Sequence, residues 1–358
     1  MQKLRAGILG ATGAVGQQFV RLLADHPWFD ISVLAASERS AGKRYFEAVN
    51  WIGSDPIPDS VREMEVVSCE PGIGCDFVFS GLDAKVAGGI ESDFAAAGYA
   101  VISNARNHRM RQDVPLLIPE VNPEHTALID AQNTSGYIVT NPNCSTVGLV
   151  CALKPIVDAF GVDRVQVSTM QALSGAGYPG VSSLDILGNV VPFIGGEEDK
   201  LETEPLKLLG ALENGAVTPY RATLSAQCNR VPVLDGHMET VSLSLKRTAS
   251  PEAVVGALRG FKNPLAGLGL PTAPDPFVAV FDDPRFPQPR RHSNLGRGMT
   301  VSVGRVRSCN VLDIRMVVLS HNTVRGAAGG AILNAELLVH QGRLSSRTAA
   351  APATEKAS

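Results

Sequence analysis

Ala6-Gly7-Ile8-Leu9-Gly10-Ala11-Thr12-Gly13-Ala14-Val15-Gly16 sets how the rest of the chain is read. Ala6 to Leu9 is a short apolar strand, and the glycine run follows at once. Phe19, Val20, Leu22 and Leu23 then continue with helical character. Strand, glycine turn, helix is the context of a dinucleotide fingerprint, here spaced Gly-x-x-Gly-x-x-Gly instead of Gly-x-Gly-x-x-Gly. Glycine lets the backbone turn tightly and approach a pyrophosphate, whose charge sits on the helix N-terminus. Gly10, Thr12, Gly13, Ala14, Val15 and Gly16 are therefore candidate cofactor-binding residues.

Downstream, Ile31 to Ala36 forms a second strand ending in Ser37-Glu38-Arg39-Ser40-Ala41-Gly42-Lys43. The end of that strand faces the adenosine ribose in such a fold. An acid there suits a free 2′-hydroxyl, whereas arginine and hydroxyls suit a 2′-phosphate. Glu38 gives the first signal; Ser37, Arg39, Ser40 and Lys43 give the second. A solvated basic loop has the same composition. The balance favours NADP as cofactor. Asp76 to Ser80 and Ala100 to Ser103 are further strands, separated by a helix from Lys85 to Ala97 that stops at Gly98. This alternation implies a parallel sheet with right-handed crossovers. Asn104 to Arg111 then leaves the sheet's ligand edge carrying Arg106, Arg109 and Arg111, either as an anion site or as a solvated loop. Pro115 to Pro123 reads as extended.

Thr140-Asn141-Pro142-Asn143-Cys144-Ser145-Thr146 leads into an amphipathic helix marked by Val147, Val150, Leu153, Val157 and Phe160. Asn143 suits the N-cap, which places Cys144 in the first turn. The positive end of the helix and its unpaired N–H groups favour the thiolate, the nucleophilic form. A small buried cysteine is the competing reading.

Bulk properties narrow the classes. The 358 residues allow two domains; 44% are hydrophobic and 19% charged, as in globular proteins. A formal net charge of −3 removes the footprint of a nucleic-acid binder, and no apolar run approaches a membrane span. Met1-Gln2-Lys3-Leu4-Arg5 lacks a signal-peptide core. Cys69, Cys75, Cys144, Cys151, Cys228 and Cys309 are scattered without metal-ligand spacing, so no metal and a reduced cytoplasmic setting are expected.

The second half changes character. Asp163 to Met170 is a strand, followed by a mobile glycine-rich loop from Gln171 to Gly180. After Gly195-Gly196-Glu197-Glu198-Asp199-Lys200, a helix is expected near Glu202 to Leu212. Ala222 to Val231 and His237 to Lys246 read as antiparallel strands joined through Pro232 to Gly236. Val278 to Val280, Thr300 to Val306 and Leu312 to Leu319 follow as further strands. Arg230 and His237 flank the turn and can share a cleft, where an imidazole near a thiolate can move protons. His321 to Val339 reads as a small-residue helix, and residues 343–358 as a disordered tail.

Together these residues resemble the aspartate-β-semialdehyde dehydrogenases, in their archaeal and fungal-type branch. The resemblance is carried by Gly10 to Gly16, Ser103-Asn104-Ala105 with Asn107 to Met110, Asn141 to Thr146, Gln171 to Gly177, Glu197-Glu198-x-Lys200, Asn229 to His237, and His321-Asn322 with Gly326 to Gly329. It implies an α/β fold: an N-terminal Rossmann doubly wound parallel sheet (1–140 and 322–342), plus an α+β glyceraldehyde-3-phosphate dehydrogenase-like catalytic and dimerisation domain (141–321). It implies Cys144 as acyl-forming nucleophile, His237 as general acid/base and Gln171 as the residue positioning the thioester. Arg230 and Asn143 would hold the substrate, Glu197 its amino group, and Arg109 and Lys200 phosphate. Asn322 with Ser174 and Gly175 would meet the nicotinamide end of NADP. The implied reaction is reductive dephosphorylation of aspartyl phosphate in a homodimer or homotetramer, with no nucleic-acid or membrane partner. A malonyl-CoA reductase-like enzyme, an N-acetylglutamyl-phosphate reductase and a non-catalytic NADP-binding regulator are the rival readings. Glu197 beside Lys200 favours the aspartyl substrate over malonyl-CoA.

Overall fold

Six short strands form one sheet in the computed structural model, which describes residues 2–347. They are β1 (Leu4–Leu9), β2 (Phe29–Ala36), β3 (Val66–Ser68), β4 (Phe77–Ser80), β5 (Ala100–Ser103) and β6 (Tyr137–Thr140). All pair in parallel, in the order β3-β2-β1-β4-β5-β6. Ile8, Phe77, Val78, Phe79, Val101 and Ile102 are fully buried, because helices cover both faces of such a sheet. The strand order reverses between β1 and β4, and ligands of open α/β sheets bind outside the carboxyl ends at that point. There, before α1 (Ala14–Leu23), the turn is so tight that a Cβ on Gly16 would lie 2.2 Å from the Gly10 carbonyl oxygen. Gly10 itself has φ +77°. A Cβ on Gly13 would meet nothing closer than 3.4 Å, so the fold alone does not require glycine there.

After α2 (Ala84–Ala96), α3 (Cys144–Phe160) begins where β6 ends, and Asn143 caps it as expected. A second sheet follows, built from β7 (Val162–Gln171), β10 (Thr223–Arg230), β11 (His237–Leu245), β12 (Val278–Phe281), β13 (Val301–Ser308) and β14 (Ile314–Ser320). Its order is β10-β7-β11-β14-β13-β12, with β8 (Ala211–Glu213) and β9 (Ala216–Thr218) as a separate hairpin. α3 packs across this sheet, burying Leu149, Val150, Leu153 and Ile156 against Val167, Val241, Val303 and Val318.

The hairpin expected from β10 and β11 does not form. β7 lies between them, parallel to β10 and antiparallel to β11. Residues 231–236 instead wrap the end of β7: Val231 N–H bonds Gln171 O, and Leu173 and Ser174 N–H groups bond Val233 and Leu234 carbonyls. Pro232 lacks an N–H for a hairpin ladder. α4 (Glu197–Leu208) starts and ends earlier than expected. Acidic residues in its first turn suit the positive helix end, and Gly210 packs so tightly against Thr218 that the chain turns into β8.

Beyond α5 (Pro251–Arg259), the chain returns to the first sheet through a π-turn (Val324–Ala328) and α6 (Gly329–His340). Ala331, Ile332, Leu333, Ala335, Leu337 and Leu338 join the core of Ile8, Phe19, Phe77 and Phe79. The disordered tail expected from residue 343 does not begin there. Arg343 pairs with both Asp130 oxygens, Leu344 is buried, and the Arg347 guanidinium stacks 3.5 Å from the Tyr99 ring centre. Charged side chains with apolar stems anchor readily in this way. Residues 348–358 of that expected tail lie outside the described residues. No described helix is long and apolar enough to cross a membrane.

Gly16→Ala should lower the melting temperature, at a cost of about 1–3 kcal/mol typical of overpacking. Gly13→Ala should stay within about 0.5 kcal/mol of wild type. Thermal denaturation of the two variants checks the difference.

Candidate active site

The ends of α3, β7, β10 and β11 meet at Cys144. Its Sγ lies 3.3 Å from His237 Nε2. His237 Nδ1 accepts the Ala172 backbone N–H at 3.0 Å. A ring nitrogen that accepts has no proton, so neutral His237 carries its proton on Nε2, facing the sulfur. Burial, then the charges of Arg230 and His321, push His237 down to about 3. Burial and the Glu197 carboxylate push the Cys144 thiol up to about 12, against the opposing charges of Arg230, Arg109 and Lys200. Both shifts favour the neutral thiol and the neutral imidazole in the ligand-free site. This differs from the thiolate expected at a helix N-terminus. Asn143 Oδ1 already takes the N–H groups of Ser145 (2.9 Å) and Thr146 (3.3 Å), and Glu197 adds an opposing charge.

Glu197 organises one wall. Its carboxylate accepts from Asn143 Nδ2 at 3.0 and 2.8 Å, from Gln171 Nε2 at 3.3 Å and from Lys200 Nζ at 2.6 Å. Burial alone would raise its pKa, but Lys200 and these donors hold it below the usual carboxylate range. Arg230 Nη1 donates to Ala172 O at 2.7 Å. A Cβ on Gly175 would stand 2.9 Å from both Arg230 Nη1 and His237 Cε1, so only glycine lets this loop lie over them. Beside it, Asn322 Nδ2 donates to Ser174 Oγ at 2.8 Å. The loop expected to be mobile is thus tied down at its start.

Arg109 joins from the first sheet. It is buried, with Nη1 2.9 Å from Glu204 Oε1 and Nη2 2.7 Å from Asn104 O. Lys207 Nζ holds the same loop by the carbonyls of Arg109, Arg111 and Val114 at 2.6–2.8 Å. A Cβ on Gly326 would meet Cys144 Cα and Cβ at 2.8 Å, so the π-turn closes directly onto the cysteine.

Cys144, His237, Gln171, Arg230, Glu197, Lys200 and Asn143 therefore form one constellation, flanked by Ser174, Gly175 and Asn322 and linked to Arg109. The remaining candidates form a second group at the ends of β1 and β2. Gly10 and Ala11 N–H groups bond Ala35 O, and Ser37 to Ser40 make the next turn, with Ser37 and Arg39 exposed. The Ala172 N–H, Glu204, Lys207 and Gly326 were not among the sequence candidates. For Glu204 and Lys207 the signal was present: with Glu197, Lys200, Leu201 and Leu208 they fall on one helical face once α4 starts at Glu197.

Family models for the semialdehyde dehydrogenase NAD-binding domain and dimerisation domain match residues 5–129 and 153–325. The chain belongs to the aspartate-semialdehyde dehydrogenase family. The member from Archaeoglobus fulgidus is 50% identical over 340 residues, covering 94% of this chain and 98% of that one. The member from Saccharomyces cerevisiae is 48% identical over 354 residues, covering 93% and 97%. A crystal structure of the Candida albicans aspartate-semialdehyde dehydrogenase with NADP superposes with a TM-score of 0.88 at 46% identity, covering 96% of this chain and all of that one. Both the parallel dinucleotide-binding sheet and the mixed sheet of the dimerisation domain agree with this family.

Alkylation of Cys144 by iodoacetamide in ligand-free protein should climb about tenfold per pH unit from pH 7 to 10, as expected far below a thiol's pKa. A rate that levels off by pH 8 would instead indicate a thiolate–imidazolium pair.

Proposed function

We propose that this chain catalyses NADPH-dependent reductive dephosphorylation of L-4-aspartyl phosphate to L-aspartate 4-semialdehyde through a thioester on Cys144, on the way to lysine, methionine and threonine. The carrying observation is the 3.3 Å Cys144–His237 pair flanked by the charges of Glu197 and Arg230. Residues 1–140 and 322–342 hold the cofactor; residues 141–321 carry catalysis and dimerisation. The protein works in the cytoplasm as a homodimer or homotetramer, consistent with six unbonded cysteines.

The glycine turn fits a dinucleotide. Gly10 and Gly16 are required by the fold, whereas bare Gly13 leaves its backbone approachable. Ser37, Arg39 and Ser40 lie at the end of β2, where a ribose 2′-phosphate belongs, and Thr12, Ala14 and Val15 complete the turn. The Candida relative solved with NADP supports this choice of cofactor. When bound, the cofactor supplies the hydride that reduces the thioester to a thiohemiacetal.

The chain's own residues account for the rest. Cys144 Sγ bonds to the acyl carbon as the C–O bond to phosphate breaks, the thiol proton leaving with the phosphate, and Arg109 and Lys200 receive the anion. Arg230 holds the α-carboxylate; Asn143, expected to bind substrate, instead turns its amide to Glu197, which is kept ionised and faces the substrate ammonium. Gln171, bonded to Glu197, orients the thioester. His237 Nε2–H hydrogen-bonds the sulfur where it carries negative charge, in the thiolate that attacks and again as the thiohemiacetal expels it, and one proton from solvent restores the thiol. Ser174, Gly175 and Asn322, packed over Arg230 and His237, would meet the nicotinamide end of the cofactor.

Purified protein with aspartate semialdehyde, phosphate and NADP should form NADPH only when phosphate is present. Cys144→Ala should lower that rate at least about 10⁴-fold with folding intact. His237→Asn should lower kcat about 10²- to 10⁴-fold, the usual worth of a proton-handling group. No NADPH formation, but NADPH oxidation with malonyl-CoA, would change the substrate. Silence with both would leave a non-catalytic NADP-binding protein.

A further inference from the structure

Glu204 has no part in the chemistry described above, yet its carboxylate joins two pieces of it. Oε1 lies 2.9 Å from Arg109 Nη1, and Oε2 accepts the Asn143 backbone N–H at 2.7 Å. Glu204 is 2% exposed and Arg109 7%. A desolvated ion pair is a weak source of stability, because dehydrating both charges offsets most of their attraction. The arrangement gains geometry instead. Arg109 Nη1 and Nη2 are engaged by Glu204 and Asn104, while the buried Nε has no partner. One α4 turn further on, Lys207 fastens the main chain of the Arg109 loop through three carbonyls. The arginine is thus held twice from one helix face, by its backbone and by its guanidinium. Only the second hold also touches the residue preceding the nucleophile.

We propose that Glu204 is a positioning residue for the phosphate step: it fixes the Arg109 guanidinium relative to the N-terminus of α3, so anion site and nucleophile keep one spacing. This rests on the reading of Arg109 as a phosphate ligand. Glutamine is the informative substitute. An amide offers one acceptor and one donor, so either Arg109 or the Asn143 N–H would face a second donor. Aspartate keeps the charge but is one methylene too short to reach both partners.

The test measures KM for phosphate, aspartate semialdehyde and NADP in Glu204→Gln, Glu204→Asp, Arg109→Ala and the Glu204→Gln/Arg109→Ala double variant. Both Glu204 variants should raise the phosphate KM at least about fivefold, with the other two KM values within about twofold. The double variant should match Arg109→Ala, because residues sharing one interaction are non-additive. An equal rise in all three KM values, or an unchanged phosphate KM in Glu204→Gln while Arg109→Ala raises it, would overturn the proposal alone. An unchanged phosphate KM in Arg109→Ala would overturn the reading of Arg109 beneath it. Should Glu204→Gln fail to fold, the charge-preserving Glu204→Asp decides on the same criterion.

Discussion

Every polar group of Asn143 is committed, and the site depends on that. Its Oδ1 caps α3 through Ser145 and Thr146, and its Nδ2 donates to both Glu197 oxygens. Its main-chain N–H reaches Glu204, and its carbonyl accepts from Val147. Only an amide offers an acceptor on one side and a donor on the other. Aspartate would set a second carboxylate against Glu197, and serine would be too short to span from the helix end to that carboxylate. One side chain therefore fixes the start of the nucleophile's helix, the orientation of the buried acid and the approach of α4.

A second constraint acts from the opposite side. Arg325, 1% exposed, pairs with both oxygens of Glu120 at 2.7 and 2.8 Å and reaches Cys151 Sγ at 3.2 Å. Breaking such a buried pair typically costs about 3–5 kcal/mol, because one charge is left uncompensated. The pair pins the π-turn whose Gly326 lies on Cys144. The nucleophile is thus clamped between a capped helix start and a charged anchor at the return to the first sheet. Burial around it favours the uncharged forms of thiol and imidazole, while Glu197 is held ionised by Lys200 and its other donors.

What could be read from sequence follows from how local each signal is. Four strands of the first sheet, β1, β2, β4 and β5, were legible as short apolar runs next to their own helix or turn, with the Gly10 turn inside that pattern, whereas the short β3 and β6 were not. Cys144 and His237 were legible as residue types in motifs. The insertion of β7 between β10 and β11 was not, since alternation records which face is buried and not which neighbour pairs. That insertion sets Gln171 between Arg230 and His237. Glu204 was missed because its meaning lies in Arg109, 95 residues away, and because placing the start of α4 late hid the stripe it shares with Glu197. The upward push on the Cys144 thiol was not legible because helix position speaks for the thiolate, whereas burial is tertiary.

The return of α6 to the first sheet bears on biosynthesis. β1 to β6 leave the ribosome well before α6, but the apolar surface around Phe19 and Phe79 is closed by Ile332, Leu333 and Leu337, which follow only after the whole catalytic unit. The intervening catalytic unit is contiguous and can collapse in between. At about 5–20 residues per second, the nascent nucleotide half waits on the order of 10 to 40 seconds with that seam open. Arg343 and Arg347 then latch onto Asp130 and Tyr99. The sheet that is synthesised before the catalytic unit is closed only after it, within reach of any chaperone that attends unfinished chains.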